Sequence, residues 1–147
     1  MKFIVDQYLP FIQNAFGPLG EVRALDTVEL TATAVRDADV VIVRSPTKID
    51  RALLDGSAVK FVGTATIGTD HVDTGYLASK GIAFASAPGC NSNSVKEYVV
   101  GAVLSLAAAK GCRLNGLTIG IVGVGHVGSK VSQAAGVLGM RVLLNDP

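Results

Sequence analysis

The residues best suited to chemistry lie in Thr118-Ile-Gly-Ile-Val-Gly-Val-Gly-His-Val-Gly-Ser129, where a strand-favouring run meets glycines at 123, 125 and 128. A helical apolar pattern of Val127, Val131, Ala135 and Leu138 starts at once, so a glycine-rich turn joins a strand to a helix. Each glycine answers a different demand: Gly123 permits the tight turn, Gly125 lets backbone approach a phosphate, and Gly128 lets the helix pack closely on its strand. The helix N-terminus adds unpaired N–H groups and partial positive charge. The chemistry is therefore anion capture, with a dinucleotide pyrophosphate as the ligand. His126 and Val127 lie inside the turn, where the His126 backbone and side chain are expected to face the phosphates; nothing there supports a general base.

Gly139 can stop the helix, and Arg141-Val-Leu-Leu-Asn-Asp146 reads as a second parallel strand. Asp146 then follows the turn by roughly 20 residues, the spacing at which an acidic side chain takes the adenosine ribose hydroxyls. A carboxylate there repels a 2′-phosphate, which selects NAD over NADP.

Two more loops carry candidate groups. Arg44-Ser-Pro-Thr-Lys48 offers a guanidinium, two hydroxyls and an ammonium; it could clasp a carboxylate or phosphate, or be a solvated turn shaped by Pro46. Gly63-Thr-Ala-Thr-Ile-Gly-Thr-Asp70 could cradle an anion on its backbone N–H groups beside Thr64, Thr66 and Thr69, or be a tight turn with threonine caps. His71 has no second histidine near it and neighbours Asp70 only along the chain, so a structural or capping role is expected and no metal site.

The elements that position these loops alternate. Strands are expected at Lys2–Val5, Glu21–Ala24, Ala38–Val43, Val59–Gly63 and Ile82–Phe84. Between them come helices from Pro10 with Phe11, Ile12, Ala15, Phe16 and Leu19 on one face, then over Val28–Arg36, Asp50–Gly56 and Thr74–Lys80. That alternation implies a mostly parallel sheet with right-handed crossovers, whose ligands bind beyond the carboxyl ends of the strands. Ser94-Val-Lys-Glu97 has capping-box spacing ahead of a long helix to about Lys110, apolar nearly all round and so expected to be covered on all sides.

With 49% hydrophobic residues and a mean hydropathy of +0.45, the chain is not disordered and can bury a sizeable core. Thirteen basic against twelve acidic residues give a net charge of +1, which provides no electrostatic footprint for nucleic acid or an anionic membrane. The start MKFIVDQYLPF lacks signal-peptide architecture and no apolar run reaches membrane-span length, so a cytoplasmic protein is expected. Cys90 and Cys112 make neither a disulfide scaffold nor a zinc spacing.

Taken in order, Val43-Arg-Ser-Pro-Thr-Lys48, Phe61-Val-Gly-Thr-Ala-Thr-Ile-Gly-Thr-Asp-His-Val-Asp73, Ala87-Pro-Gly-Cys-Asn91 with Glu97-Tyr98, and Gly120-Ile-Val-Gly-Val-Gly-His-Val-Gly128 resemble the D-2-hydroxyacid dehydrogenases over the whole chain. The resemblance implies a flavodoxin-like parallel-sheet substrate domain over residues 1–93. A linker helix and the first βαβ unit of a Rossmann NAD-binding domain follow over 94–147. It further implies oxidation of a small anionic phosphorylated 2-hydroxy acid, 4-phospho-D-erythronate, with NAD as cofactor, within pyridoxal phosphate biosynthesis. Carried over by position, Ser45 and Thr66 become substrate contacts with Arg44 and the Ile67-Gly68 backbone beside them. His126, Val127 and Asp146 become cofactor contacts. A homodimer through the nucleotide domain is also implied.

Such catalysis requires an arginine to hold the substrate carboxylate, a histidine as general acid/base and a glutamate to orient it. The resemblance places all three after the second nucleotide-domain strand, and neither Arg44 nor His71 matches any of them. No residue up to Pro147 is therefore assigned a catalytic role. The expectation is a truncated, inactive polypeptide, weakly stable or aggregation-prone unless a partner covers its exposed apolar edges. A non-enzymatic NAD-binding or interaction module, and a dehydrogenase for another 2-hydroxy acid such as 3-phosphoglycerate, are the alternative readings.

Overall fold

The computed structural model describes residues 1–146; Pro147, the last residue of the expected second domain, lies outside them. The chain divides into two units, Met1–Pro88 and Gly89–Pro147. This division falls slightly before the expected 93/94 boundary, because the long helix starts at Ser92.

In the first unit, β1 (Lys2–Asp6), β2 (Glu21–Leu25), β3 (Val40–Val43), β4 (Phe61–Thr64) and β5 (Ala83–Ser86) alternate with α1 (Ile12–Phe16), α2 (Ala32–Val35), α3 (Arg51–Leu54) and α4 (Thr74–Ser79). The strands form one parallel sheet in the order β2-β1-β3-β4-β5. The apolar run of β3 shows why. Successive side chains point to opposite faces, so Val41 and Val43 enter the core that also holds Ile4, Val62, Leu53, Leu54 and Leu77. Val40 and Ile42 join Phe3, Val5 and Ile12 on the other side. All four β3 residues are buried, as a strand covered on both faces requires.

Helix boundaries depart from the sequence pattern in instructive ways. Phe11 is not on the buried face of α1: it precedes the helix in a left-handed conformation, φ 60°, and is 78% exposed. Ile12 is buried and Phe16 stacks on Phe3 at 5.4 Å, while Leu19 lies exposed at the end of the 3₁₀ turn Gly17–Leu19. The helix expected over Val28–Arg36 is broken because two caps compete. Asp26 and Glu29 make a reciprocal capping box on a 3₁₀ turn, Thr27–Glu29, and Thr31 then caps α2 by accepting from Ala34 N.

The second unit holds α5 (Ser92–Ala109), β6 (Thr118–Val122), α6 (His126–Val137) and β7 (Arg141–Asn145), with β6 and β7 paired in parallel. The expected Ser94/Glu97 capping box does not form, since Ser94 is already inside α5. The entry turn is closed instead by Ser92, whose N–H and Oγ both donate to Gly89 O, at 3.0 and 2.6 Å. Nor is α5 covered all round: Tyr98, Leu104 and Leu106 are exposed. Among the described residues no helix is long and apolar enough to cross a membrane.

Candidate functional site

The glycine turn is the best-defined element of the second unit, and each glycine is held there for a separate reason. Gly123 adopts φ +89°, which L side chains rarely accept. A Cβ on Gly128 would stand 1.9 Å from Gly123 O, so only hydrogen lets α6 close against the turn. Gly125 caps α6 at φ −72° and has nothing within 4 Å of the position a Cβ would take. The turn is thus tight where it must fold and open where a ligand would approach. The first intrahelical bond runs from Ser129 N to Gly125 O at 3.0 Å, which leaves the N–H groups of the first turn directed out of the helix end.

Asp146 follows β7 and reaches back to the same turn. Its Oδ1 accepts from Val124 N at 2.9 Å, while Gly123 N donates to Asn145 O at 2.8 Å. The sequence spacing placed Asp146 near a ribose; it gave no sign that the carboxylate also braces the turn. The exposed His126 opens α6 with its ring packed over Gly89, where a Cβ would fall 2.8 Å from the ring Cγ. What His126 and Val127 offer the open side of the turn is their backbone. The residues present fit a dinucleotide: a positive-φ glycine, an unobstructed glycine beside a helix N-terminus, and an acidic side chain at the neighbouring strand end.

In the first unit, the loops after β3 and β4 lie side by side at the carboxyl ends of the strands. They are tied at two points. Ala65 N donates to Val43 O at 3.0 Å, and Ile49 pairs with Val72 as an isolated parallel bridge, with Ile49 N donating to His71 O and Asp73 N to Ile49 O, both at 2.8 Å. Ser45 is exposed on one loop; Thr66 is half-buried on the other, followed by exposed Ile67 and Gly68.

Arg44 is not a free cation. Its Nε stands 3.1 Å from Oδ1 of Asp6, whose side chain is fully buried at the end of β1. The Nε–H is not aimed along a hydrogen bond, so the attraction is coulombic. The guanidinium lies 4.9 Å over the Tyr8 ring and Nη2 reaches Thr27 Oγ1 at 3.5 Å. Asp6 also accepts from Tyr8 N at 2.9 Å and Thr27 Oγ1 at 3.3 Å. Beside this pair, Tyr8 Oη donates to Asp26 at 2.6 Å. That bond, with one from Val28 N, holds Asp26 below the usual carboxylate range and pushes Tyr8 up. Sequence reading missed Asp6 because the partners lie far apart along the chain; its only signal was an acidic residue ending an apolar strand.

His71 is tied to the loop after β4 through its ring. Nε2 is 2.9 Å from Thr64 Oγ1, which in turn is 2.9 Å from Thr66 Oγ1. Among the described residues no group of acidic, histidine or cysteine side chains could hold a metal ion, and both cysteines are free thiols.

A flavodoxin-ordered parallel sheet with polar loops at its carboxyl edge, followed by a βαβ unit with a dinucleotide turn, defines a nicotinamide-dehydrogenase type of architecture. The chain belongs to the D-isomer specific 2-hydroxyacid dehydrogenases: the model of that family's catalytic domain matches residues 4–141. More particularly, it is similar to erythronate-4-phosphate dehydrogenases, being 50% identical over all of its length to that of Chromohalobacter salexigens and 51% to that of Edwardsiella ictaluri. It spans 38% and 39% of those relatives. Among solved structures, TT0316 protein from Thermus thermophilus superposes with a TM-score of 0.81 at 25% identity, covering 99% of this chain and 56% of that one. NAD+-bound 3-phosphoglycerate dehydrogenase of Entamoeba histolytica gives 0.73 at 31% identity, covering 100% and 54%.

Proposed function

We propose that this chain supplies the substrate-recognition loops and the first half of the cofactor site of an NAD-dependent dehydrogenase. It would oxidise the C2 alcohol of 4-phospho-D-erythronate to the 2-oxo acid, in pyridoxal phosphate biosynthesis in the cytoplasm. The observation that carries this reading is the glycine turn braced by Asp146, in a chain half identical over its whole length to enzymes of that name.

The chemistry that NAD would supply when bound is that of a hydride acceptor for C2. The chain's own residues bind and orient. Gly123, Gly125 and Gly128 shape the pyrophosphate turn, the His126 and Val127 backbone at the start of α6 meets the phosphates, and Asp146 receives the ribose hydroxyls and repels a 2′-phosphate. Ser45 and Thr66 meet the substrate, with Arg44, held by Asp6, as their neighbour at the start of the Ser45 loop. The hydroxyl proton and the substrate carboxylate require an acid/base pair and an arginine beyond those assigned in this chain. The 147 residues alone are therefore expected to bind without turnover.

A homodimer through the second unit belongs to the same proposal. It is supported by the exposed Tyr98, Leu104, Leu106 and Val137 and by a groove of about 610 Å³ between α5 and α6, lined by Val100, Gly101, Ala134 and Leu138.

Calorimetric titration of the chain with NAD and NADP tests the cofactor half: saturable NAD binding with weaker NADP binding is expected. For the substrate half, the chain completed with a relative's remaining domain is expected to oxidise 4-phospho-D-erythronate in preference to 3-phosphoglycerate. The opposite preference would reassign the substrate.

A further inference from the structure

We infer that His71 is a positioning residue for the substrate anion, acting through Thr64 to set the direction in which the Thr66 hydroxyl donates. The inference rests on the reading of Thr66 as a substrate contact. Its physical basis is a linear chain of three groups: His71 Nε2, Thr64 Oγ1 and Thr66 Oγ1, each 2.9 Å from the next. Thr64 is buried, with 5% of its surface exposed, so its single hydroxyl proton goes to one neighbour or the other.

The two arrangements have opposite consequences. If Nε2 carries no proton, Thr64 donates to it and the Thr66 hydroxyl donates inward to Thr64, presenting only lone pairs to a ligand. If Nε2 carries a proton, it donates to Thr64, Thr64 donates to Thr66, and the Thr66 proton is free to point outward. Only the second arrangement suits a carboxylate or phosphate oxygen. The imidazolium enforces it, because both ring nitrogens are then donors.

The environment of the ring is mixed in charge. His71 lines a cleft of about 530 Å³ with Lys48, Asp50, Arg51, Asp70 and Asp73, two cations and three carboxylates. Lys48 is drawn to Asp50 at 3.3 Å, and the carboxyl of Asp50 accepts from the N–H groups of Ala52 and Leu53. The backbone that carries the ring is pinned by the Ile49–Val72 bridge: His71 O accepts from Ile49 N, and Asp73 N donates to Ile49 O. A ring carried on backbone pinned in this way can orient a hydroxyl seven residues earlier in sequence.

The test is an NMR titration of the labelled chain, completed with a relative's remaining domain, with D-erythronate, followed at Ser45 and Thr66 between about pH 5.5 and 8.5, above the ordinary carboxylate range. The probe's carboxylate does not titrate in that window. In the wild type, affinity is expected to rise several-fold as pH falls. The gain is limited because a neutral ring can also place its proton on Nε2. His71→Gln, whose amide can donate from nearly the same place, is expected to bind with a smaller pH dependence than the wild type. His71→Ala and the isosteric Thr64→Val are each expected to lose roughly tenfold at low pH, and the double variant no more than either alone. A His71→Gln profile identical to the wild type, or additive losses in the double variant, overturns the inference while leaving Thr66 as a contact. Wild-type chain that shows no perturbation at Ser45 or Thr66 overturns the substrate-site reading and the inference together.

Discussion

The glycine turn allows stability and ligand binding to be separated within six residues. In Gly128→Ala the new methyl would meet Gly123 O at 1.9 Å, a distance no real contact shows, and the obstacle is backbone rather than a side chain that can swing away. Turn and helix would have to part by about 1 Å, in a protein interior packed too closely to absorb it. That movement pulls on Gly123 N–Asn145 O, on Val124 N–Asp146 and on the seating of Val131 and Ala135 against β6. Overpacking of this kind costs about 1–3 kcal/mol, and the upper end applies where backbone must move. Gly125→Ala is the counterpart. Its φ is −72° and the space is empty, so the expected cost is at most about 1 kcal/mol, the difference between glycine and alanine at a helix N-cap. The methyl nevertheless occupies the approach to the turn, and NAD affinity is expected to fall at least tenfold. The assay pairs hydrogen exchange of the Gly123 and Arg141 amides with calorimetric NAD titration. If Gly125→Ala loses as much protection as Gly128→Ala, or binds NAD unchanged, the division of roles among the glycines is refuted.

Asp146→Asn retains an oxygen for Val124 N but no charge, so it is expected to keep the turn and lose discrimination against NADP. Asp146→Ala is expected to lose both, read by comparing NAD and NADP titrations of the two variants. Asp6→Asn is expected to destabilise the first unit by about 2–3 kcal/mol in urea unfolding. The figure lies below that for a wholly buried pair because the Arg44 side chain keeps 30% of its exposure; an unchanged midpoint would show that the pairing contributes nothing. Acid should weaken the first unit as well. Hydrogen bonds and charge hold Asp26 (from Tyr8), Asp37 (from Lys2), Asp39 (from Lys2 N) and Asp55 (from Lys80) below the ordinary carboxylate value. Folded pKa values below the unfolded ones mean that the unfolded chain binds more protons. Stability is therefore fully present above about pH 4 and lost as pH falls through the lowered values. A urea midpoint that does not fall between about pH 7 and pH 3 would contradict this.

What was legible in the sequence was what is local and periodic. The run through Val40–Val43 announced a strand buried on both faces, and Gly123 and Gly128 announced a tight turn and a close helix contact, because each requirement is met within a few residues. Caps were harder, since several short polar residues compete for one helix start. Ser94 and Glu97 had the right spacing, yet Ser92 and Gly89 close the entry to α5; the reciprocal box lies at Asp26 and Glu29, ahead of a turn too short to show periodicity. Least legible were the pairings made only after the sheet assembles. The order β2-β1-β3 brings Asp6, Thr27 and Arg44 to one edge, and the Ile49–Val72 bridge fixes His71 beneath Thr64. No short window of sequence contains Asp6, Thr27 and Arg44 together, or Ile49 with Val72.

The Ile49–Val72 bridge has a consequence for selectivity. Two loops that moved independently could close like fingers on acids of various lengths, paying in entropy for each fit. Loops joined at Val43–Ala65 and again at Ile49–Val72 instead hold Ser45 and Thr66 at a set span. On the proposed reading of Ser45 and Thr66 as substrate contacts, such a pair would work as a gauge, and an acid one carbon shorter or longer would leave one hydroxyl unmatched.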